Sequence, residues 1–247
     1  MNRPRPRVLA LLSAATFLAA SSAKADDPQQ AKTFEKEITV KVKLNYLLYL
    51  PEGYEKSDKP YPLILFLHGA GESGSELANV KKHGPPKLIA AGKNFPFIIV
   101  SPQSPRGGWD PEALDALVGE VIKNHRVDKD RVYLTGLSMG GGGTWTLAAA
   151  HPERFAAIAP VCGAFRAPDG GKAAAQKIKD LPAWVFHGAK DTTVPIARSE
   201  EMVKSLKDAG ADVKFTVYPE AGHDSWTETY DNPELFTWFL SHKRKAN

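Results

Sequence analysis

The sequence predicts a single-domain α/β fold: a mostly parallel, doubly wound sheet with antiparallel strands at its N-terminal edge and no large cap. Three observations lead there. Short, solid apolar runs recur along the chain, as at Leu63–Leu67, Phe97–Val100 and Trp184–Phe186, the mark of strands buried on both faces. Segments with helical periodicity alternate with these runs, which makes the connections crossovers and the strands parallel. The run at Val132–Leu134 passes through Gly136-Leu137-Ser138-Met139-Gly140 directly into the helix formers of Trp145–Ala150. A G-x-S-x-G turn between a strand and a helix holds its serine hydroxyl clear of the sheet at a helix N-terminus.

The N-terminus stands apart. Arg3, Arg5 and Arg7 precede an apolar stretch of about 13 residues, Val8 to Ala20, and Ala23-Lys24-Ala25 fits a cleavage site. A signal peptide is predicted over 1–25, with an exported domain, periplasmic or secreted, over 26–247. No later stretch is apolar over the roughly 18 residues that a membrane span needs, so no span is expected after signal removal. The whole chain carries 32 basic and 28 acidic residues, but four of the basic ones lie in 1–25 with no acid beside them. The remainder is formally neutral, and composition offers no basic groove for nucleic acid. One cysteine, Cys162, cannot form a disulfide within the chain; it lies in an apolar run and reads as a small core residue.

Phe34 to Leu50 alternates with a period near two and predicts two antiparallel edge strands. Leu63–Leu67 is the first inner strand, followed by His68-Gly69-Ala70-Gly71-Glu72. Residues 76–92 read as a helical or irregular crossing with Gly84-Pro85-Pro86 in its middle. Phe97–Val100 is the next strand, and Glu112 to His125 an amphipathic helix with Leu114, Leu117, Val118, Val121 and Ile122 on one face. After the elbow, strands are predicted over 155–162, 184–188 and 213–218. Helices are predicted over 173–179, 196–209 and 233–242.

In doubly wound sheets a site forms outside the carboxyl ends of the strands. Ser138, Asp191 and His223 each follow a predicted strand end, in the order serine, acid, histidine. The chemistry needs each type. A hydroxyl is a poor nucleophile until a base takes its proton; neutral His223 can do so, and Asp191 can hold its tautomer and stabilise the imidazolium. The rival acids fit less well: Asp180 precedes its strand, Glu220 shares a loop with His223, and Asp169 stands in the connection before it. Among the other histidines, His68 and His187 flank strand ends as loop braces, while His83, His125, His151 and His242 fall in helices or connectors. An oxyanion needs two convergent backbone donors. Met139 N–H is one, and Ala70 or Gly71 N–H is the other. Gln103, Trp109 and Trp226 are placed to line the pocket. No cluster has metal-ligand spacing and no glycine-rich loop fits a dinucleotide or P-loop pattern, so neither metal nor cofactor is expected.

With these residues in view the chain resembles the α/β-hydrolases. More closely, it resembles the small secreted bacterial carboxylesterases, often labelled predicted peptidases, related to polyhydroxybutyrate depolymerases and feruloyl-type esterases. The resemblance runs over about residues 44–243. It rests on Leu65-Phe66-Leu67-His68-Gly69-Ala70-Gly71-Glu72, His83-Gly84-Pro85-Pro86-Lys87, Gly136-Leu137-Ser138-Met139-Gly140-Gly141, His187-Gly188-Ala189-Lys190-Asp191 and Ala221-Gly222-His223-Asp224-Ser225-Trp226. It implies a serine carboxylesterase with an oxyanion loop at His68–Gly71, and leaves the substrate open. About 20 residues separate the strands at 155–162 and 183–187, too few for a large lid. An open pocket suits small-molecule or polymer-linked esters. Two other readings stand beside it: a prolyl-oligopeptidase-like serine peptidase acting on short peptides, and a hydrolase-fold binding module without catalysis.

Overall fold

Strands β1 (Tyr46–Tyr49), β2 (Tyr61–Leu67), β3 (Ile98–Pro102), β4 (Val127–Leu137), β5 (Ala157–Val161), β6 (Ala183–Gly188) and β7 (Val213–Tyr218) form one sheet in the order β1-β3-β2-β4-β5-β6-β7. Every pairing is parallel except that of β1 with β3. The computed structural model describes residues 33, 35 and 41–244. The predicted signal peptide and most of the first predicted edge strand lie outside those residues. Of the two antiparallel strands expected over 34–50, β1 is the one seen, and residues 41–45 carry no strand. Among the described residues no helix is long and apolar enough to cross a membrane.

Among the described residues seven α-helices cover the two faces: α1 (Gly84–Ala90), α2 (Pro111–Asn124), α3 (Met139–Ala150), α4 (Lys172–Ile178), α5 (Ala197–Asp208), α6 (Trp226–Asp231) and α7 (Pro233–Leu240). The solid apolar runs explain this double cover. Side chains alternate across a strand. Leu63, Leu65 and Leu67 join Leu114, Val118, Trp145 and Leu206 in one core cluster, below α2, α3 and α5. Ile64 and Phe66 join Tyr133, Tyr230, Leu235 and Phe239 in another, on the opposite face. Each such buried side chain contributes about 1.5–3 kcal/mol over leaving it exposed. Two helix starts are fixed locally. Asp110 Oδ1 accepts from Glu112 N–H and Asn232 Oδ1 from Glu234 N–H, each ahead of a proline at the first helical position.

Two elements depart from the sequence expectation. β4 starts at Val127, before the apolar run, because Val127 pairs with Tyr61; a register shift follows before Val132 pairs with Leu63, and the polar side chains of Asp128–Arg131 between them hide the strand from an apolar-run search. α6 has six residues, too short for a helical period to show, and holds two threonines that favour strands. Between β5 and β6 the chain builds one helix, α4, and no cap.

Gly84 opens α1 with φ at +62°, and a Cβ there would lie 2.5 Å from Cε2 and Cζ of the fully buried Phe66. Left-handed strain and overpacking act together at this position. Gly84→Ala is expected to lower unfolding free energy by about 2–4 kcal/mol in a denaturant titration; an unchanged midpoint would contradict this account of the turn.

Candidate active site

β4 ends at Leu137 and α3 begins at Met139, so Ser138 alone makes the turn between them. Its φ of 53° and ψ of −116° lie outside the regions open to an ordinary L-residue, a strain of about 1–3 kcal/mol. The flanking glycines make the turn possible. A Cβ on Gly140 would stand 2.0 Å from Leu67 O, and one on Gly136 2.5 Å from Gly140 O. Ser138 N–H donates to Val161 O at 2.9 Å, which ties the turn to the end of β5.

The loops after β6 and β7 bring the other two residues in. A Cβ on Gly188 would meet Gly222 O at 2.1 Å, so these loops touch backbone to backbone, and Lys190 N–H donates to Ala221 O at 2.9 Å. As a result His223 Nδ1 lies 2.7 Å from Asp191 Oδ2 and His223 Nε2 lies 2.9 Å from Ser138 Oγ. The carboxylate can only accept, so Nδ1 carries the proton and Nε2 is left to receive the serine hydroxyl. Asp191 Oδ1 accepts from Thr193 and Val194 N–H, each at 2.9 Å. Burial alone would push the Asp191 carboxyl up. The bonds from His223, Val194 and Thr193, with the charge of His223, outweigh that and hold it below 3.8.

His187, fully buried, completes the support. Its Nε2 donates to Val194 O at 2.8 Å and lies 3.2 Å from Asp191 Oδ2, and its Nδ1 faces Ser199 Oγ at 2.7 Å. The sequence reads His187 as a loop brace, and the structure places it as one.

The second loop of interest follows β2. Residues Ala70–Glu72 form one 3₁₀ turn. The N–H of Ala70, like that of Met139, begins its helix and has no acceptor within it. The point where a Gly69 Cβ would stand is 3.7 Å from Ser138 Cβ, so this turn lies against the serine. His68 fixes it: Nε2 accepts from Ser104 N–H at 3.0 Å, leaving Nδ1–H to donate to Gly69 O at 2.6 Å. Burial holds the His68 imidazole below 6.5, in its neutral form.

The three residues assigned to the pocket lining divide. Gln103 is buried and its Nε2 donates to Glu72 O and Glu76 O, both at 2.8 Å, so it braces the loop from beneath instead of facing a ligand. Trp109 Nε1 donates to His68 O at 3.3 Å, and its ring fills the space left by Gly143. Trp226 reaches His223: the two rings stand edge to face at 5.1 Å. Cys162 is buried as expected, yet its Sγ lies within 4.8 Å of ligand atoms of Asp191 and His223. Burial pushes this thiol up to about 12, so it stays protonated and is no rival nucleophile at neutral pH. Sequence reasoning missed Glu72 and His83. Glu72 is 5% exposed with Oε2 unpartnered, and His83 accepts from Trp226 Nε1 at 3.3 Å. A buried carboxylate looks like any surface glutamate in a sequence.

The match to known families agrees with this geometry. Residues 111–240, which carry Ser138, Asp191 and His223, match the model of the dienelactone hydrolase family. The chain belongs to the dienelactone hydrolase family. A "Probable feruloyl esterase C" of Aspergillus terreus is 29% identical over 186 residues, covering 72% of this chain and 66% of that one. Feruloyl esterase C of Emericella nidulans is 30% identical over 159 residues, covering 61% and 56%. This dienelactone hydrolase family member thus spans between half and two thirds of the length of those relatives. A crystal structure of a thermostable esterase superposes with a TM-score of 0.67 at 31% identity, over 81% of this chain and 60% of that one.

Asp191→Asn tests the tautomer argument. An amide can donate to Nδ1 and leave the proton on Nε2, facing Ser138. Turnover of an activated ester is expected to fall by about 10³–10⁴-fold. The same carboxylate links stability to acid. Its folded value is depressed, so its contribution is complete above 3.8 and is lost as pH falls from 3.8 through the lower folded value. Wild type should lose stability across that window more steeply than Asp191→Asn in parallel denaturant titrations.

Proposed function

We propose that this protein is an exported serine hydrolase that cleaves carboxylic esters through an acyl-enzyme. The observation that carries the reading is the series Ser138 Oγ, His223 Nε2, His223 Nδ1 and Asp191 Oδ2, with successive contacts of 2.9 and 2.7 Å. Ser138 Oγ attacks the acyl carbonyl as His223 Nε2 takes its proton. The carbonyl oxygen becomes an oxyanion, received by the N–H of Met139 and by that of Ala70, with Gly71 the alternative second donor. The N-terminus of α3 adds favourable potential there. His223 returns the proton to the departing alkoxide and the alcohol leaves. Water then attacks the acyl-enzyme by the same route, giving the acid and restoring Ser138.

The substrate reading takes esterase chemistry from the relatives named above, with phenolic acyl esters of the feruloyl kind as the favoured class. The single short helix between β5 and β6 leaves the serine uncapped, which supports bulky or polymer-linked esters. The basic, apolar and small-residue pattern of 1–25 supports export.

The test uses purified protein with p-nitrophenyl acetate, methyl ferulate and a fluorophosphonate, set against Ser138→Ala. Wild type is expected to hydrolyse both esters and to gain the phosphonate mass once. Ser138→Ala should lose turnover by about 10⁴-fold or more and gain no mass. Dipeptide amides turned over faster than either ester, or no phosphonate adduct on wild type, would overturn the reading.

A further inference from the structure

The motif His83-Gly84-Pro85-Pro86 has no part in the chemistry above, yet the structure places it against the motif that carries His223. His83 stands just before α1 and Trp226 is the first residue of α6. Trp226 Nε1–H donates to His83 Nδ1 at 3.3 Å, and their rings lie edge to face at 5.3 Å. An indole nitrogen can only donate, so His83 accepts at Nδ1 and carries its proton on Nε2. That Nε2 faces Glu72 Oε1 at 3.7 Å. Glu72 ends the 3₁₀ turn that begins at Ala70.

On its other side, Trp226 meets the His223 ring at 88° and 5.1 Å. His223 works only while one ring orientation points Nδ1 at Asp191 and Nε2 at Ser138. A perpendicular indole packed on it opposes rotation out of that orientation. α6 is a six-residue helix and cannot hold a tryptophan by its own stability. Trp226 packs against the core cluster of Phe66 and Tyr230, and among the described residues His83 supplies the hydrogen-bond acceptor for its indole N–H; His83 is followed by Gly84, whose backbone packs against Phe66. Phe66 in turn stacks edge-on with Tyr230 of α6 at 5.6 Å, and Tyr230 Oη bonds Thr135 Oγ1 of β4 at 3.0 Å.

We propose that His83 is a positioning residue: through its bond to Trp226 it holds the ring of His223. This inference rests on the reading of Ser138, His223 and Asp191 as a catalytic triad. The described contacts of His83 are to Trp226 and Glu72, with none to Ser138, His223 or Asp191. Its loss is therefore read in kcat and in the rate of serine modification, with ester KM little changed.

The experiment measures ester kcat and KM, and the second-order rate of fluorophosphonate addition to Ser138, in wild type, His83→Ala, His83→Asn, Trp226→Phe and the His83→Ala/Trp226→Phe double variant. Asparagine keeps an acceptor for the indole N–H, and phenylalanine keeps a ring against His223 without the donor. His83→Ala is expected to lower kcat and the phosphonylation rate by about tenfold, His83→Asn to recover most of that loss, and His83→Ala to cost little more in the Trp226→Phe background. If His83→Ala does not fold, His83→Phe, which keeps a ring and removes the acceptor, takes its place against His83→Asn. Wild-type rates in His83→Ala, an equal cost in both backgrounds, or an asparagine variant as slow as alanine would each overturn the proposal. Wild type that fails to react with the phosphonate overturns the triad reading and this one together; wild type that reacts no faster than His83→Ala overturns this one alone.

Discussion

The site depends on how closely two backbones approach beneath Ser138. Leu67 O at the end of β2 occupies the space that a side chain at Gly140 would need, at 2.0 Å from its Cβ. That contact lets α3 start one residue after β4 ends, and it forces Ser138 to φ 53°. The strain, about 1–3 kcal/mol, is borne by the fully buried strands on either side. Its return is a hydroxyl at the mouth of α3, with the first free N–H of that helix beside it. The same approach fixes the distance from the serine to the turn after β2. Ser138 and the turn proposed to receive the oxyanion are therefore placed by one packing event.

The remaining groups are set by the loops of β6 and β7, and here too backbone meets backbone, at Gly188 and Gly222. Asp191 is then enclosed by donors: His223, Thr193 and Val194 point at its oxygens, and His187 stands 3.2 Å away. A buried carboxylate without such partners would be costly. With them it stays ionised, keeps the proton of His223 on Nδ1 and leaves Nε2 open. At Cys162, close by, burial outweighs the hydrogen bonds from Ser138 and Ser225 and pushes the thiol to about 12.

Much of this was legible in the sequence because it depends on backbone order. Solid apolar runs marked β2, β3 and β6, and the parallel sheet then put Ser138, Asp191 and His223 at one end whatever their separation along the chain. What the sequence hid depends on side-chain direction. Gln103 follows a strand end, as a pocket residue would, but its amide turns inward to two loop carbonyls. His83 falls in a connector, and nothing local shows that it meets Trp226, 143 positions away. Glu72 reads as a polar loop residue, yet it is buried at the end of the 3₁₀ turn. The polar start of β4 and the short α6 escaped because neither presents an apolar period.

The central claim is that Ser138 carries the acyl group between the two halves of the reaction. The most direct measurement is a rapid acid quench during turnover of a slowly deacylating aryl ester, followed by peptide mapping by mass. The account predicts the acyl mass on the peptide that contains Ser138, its absence in Ser138→Ala and an unmodified Cys162. Acyl mass on Cys162, or steady hydrolysis with no acyl adduct at any quench time, would contradict it.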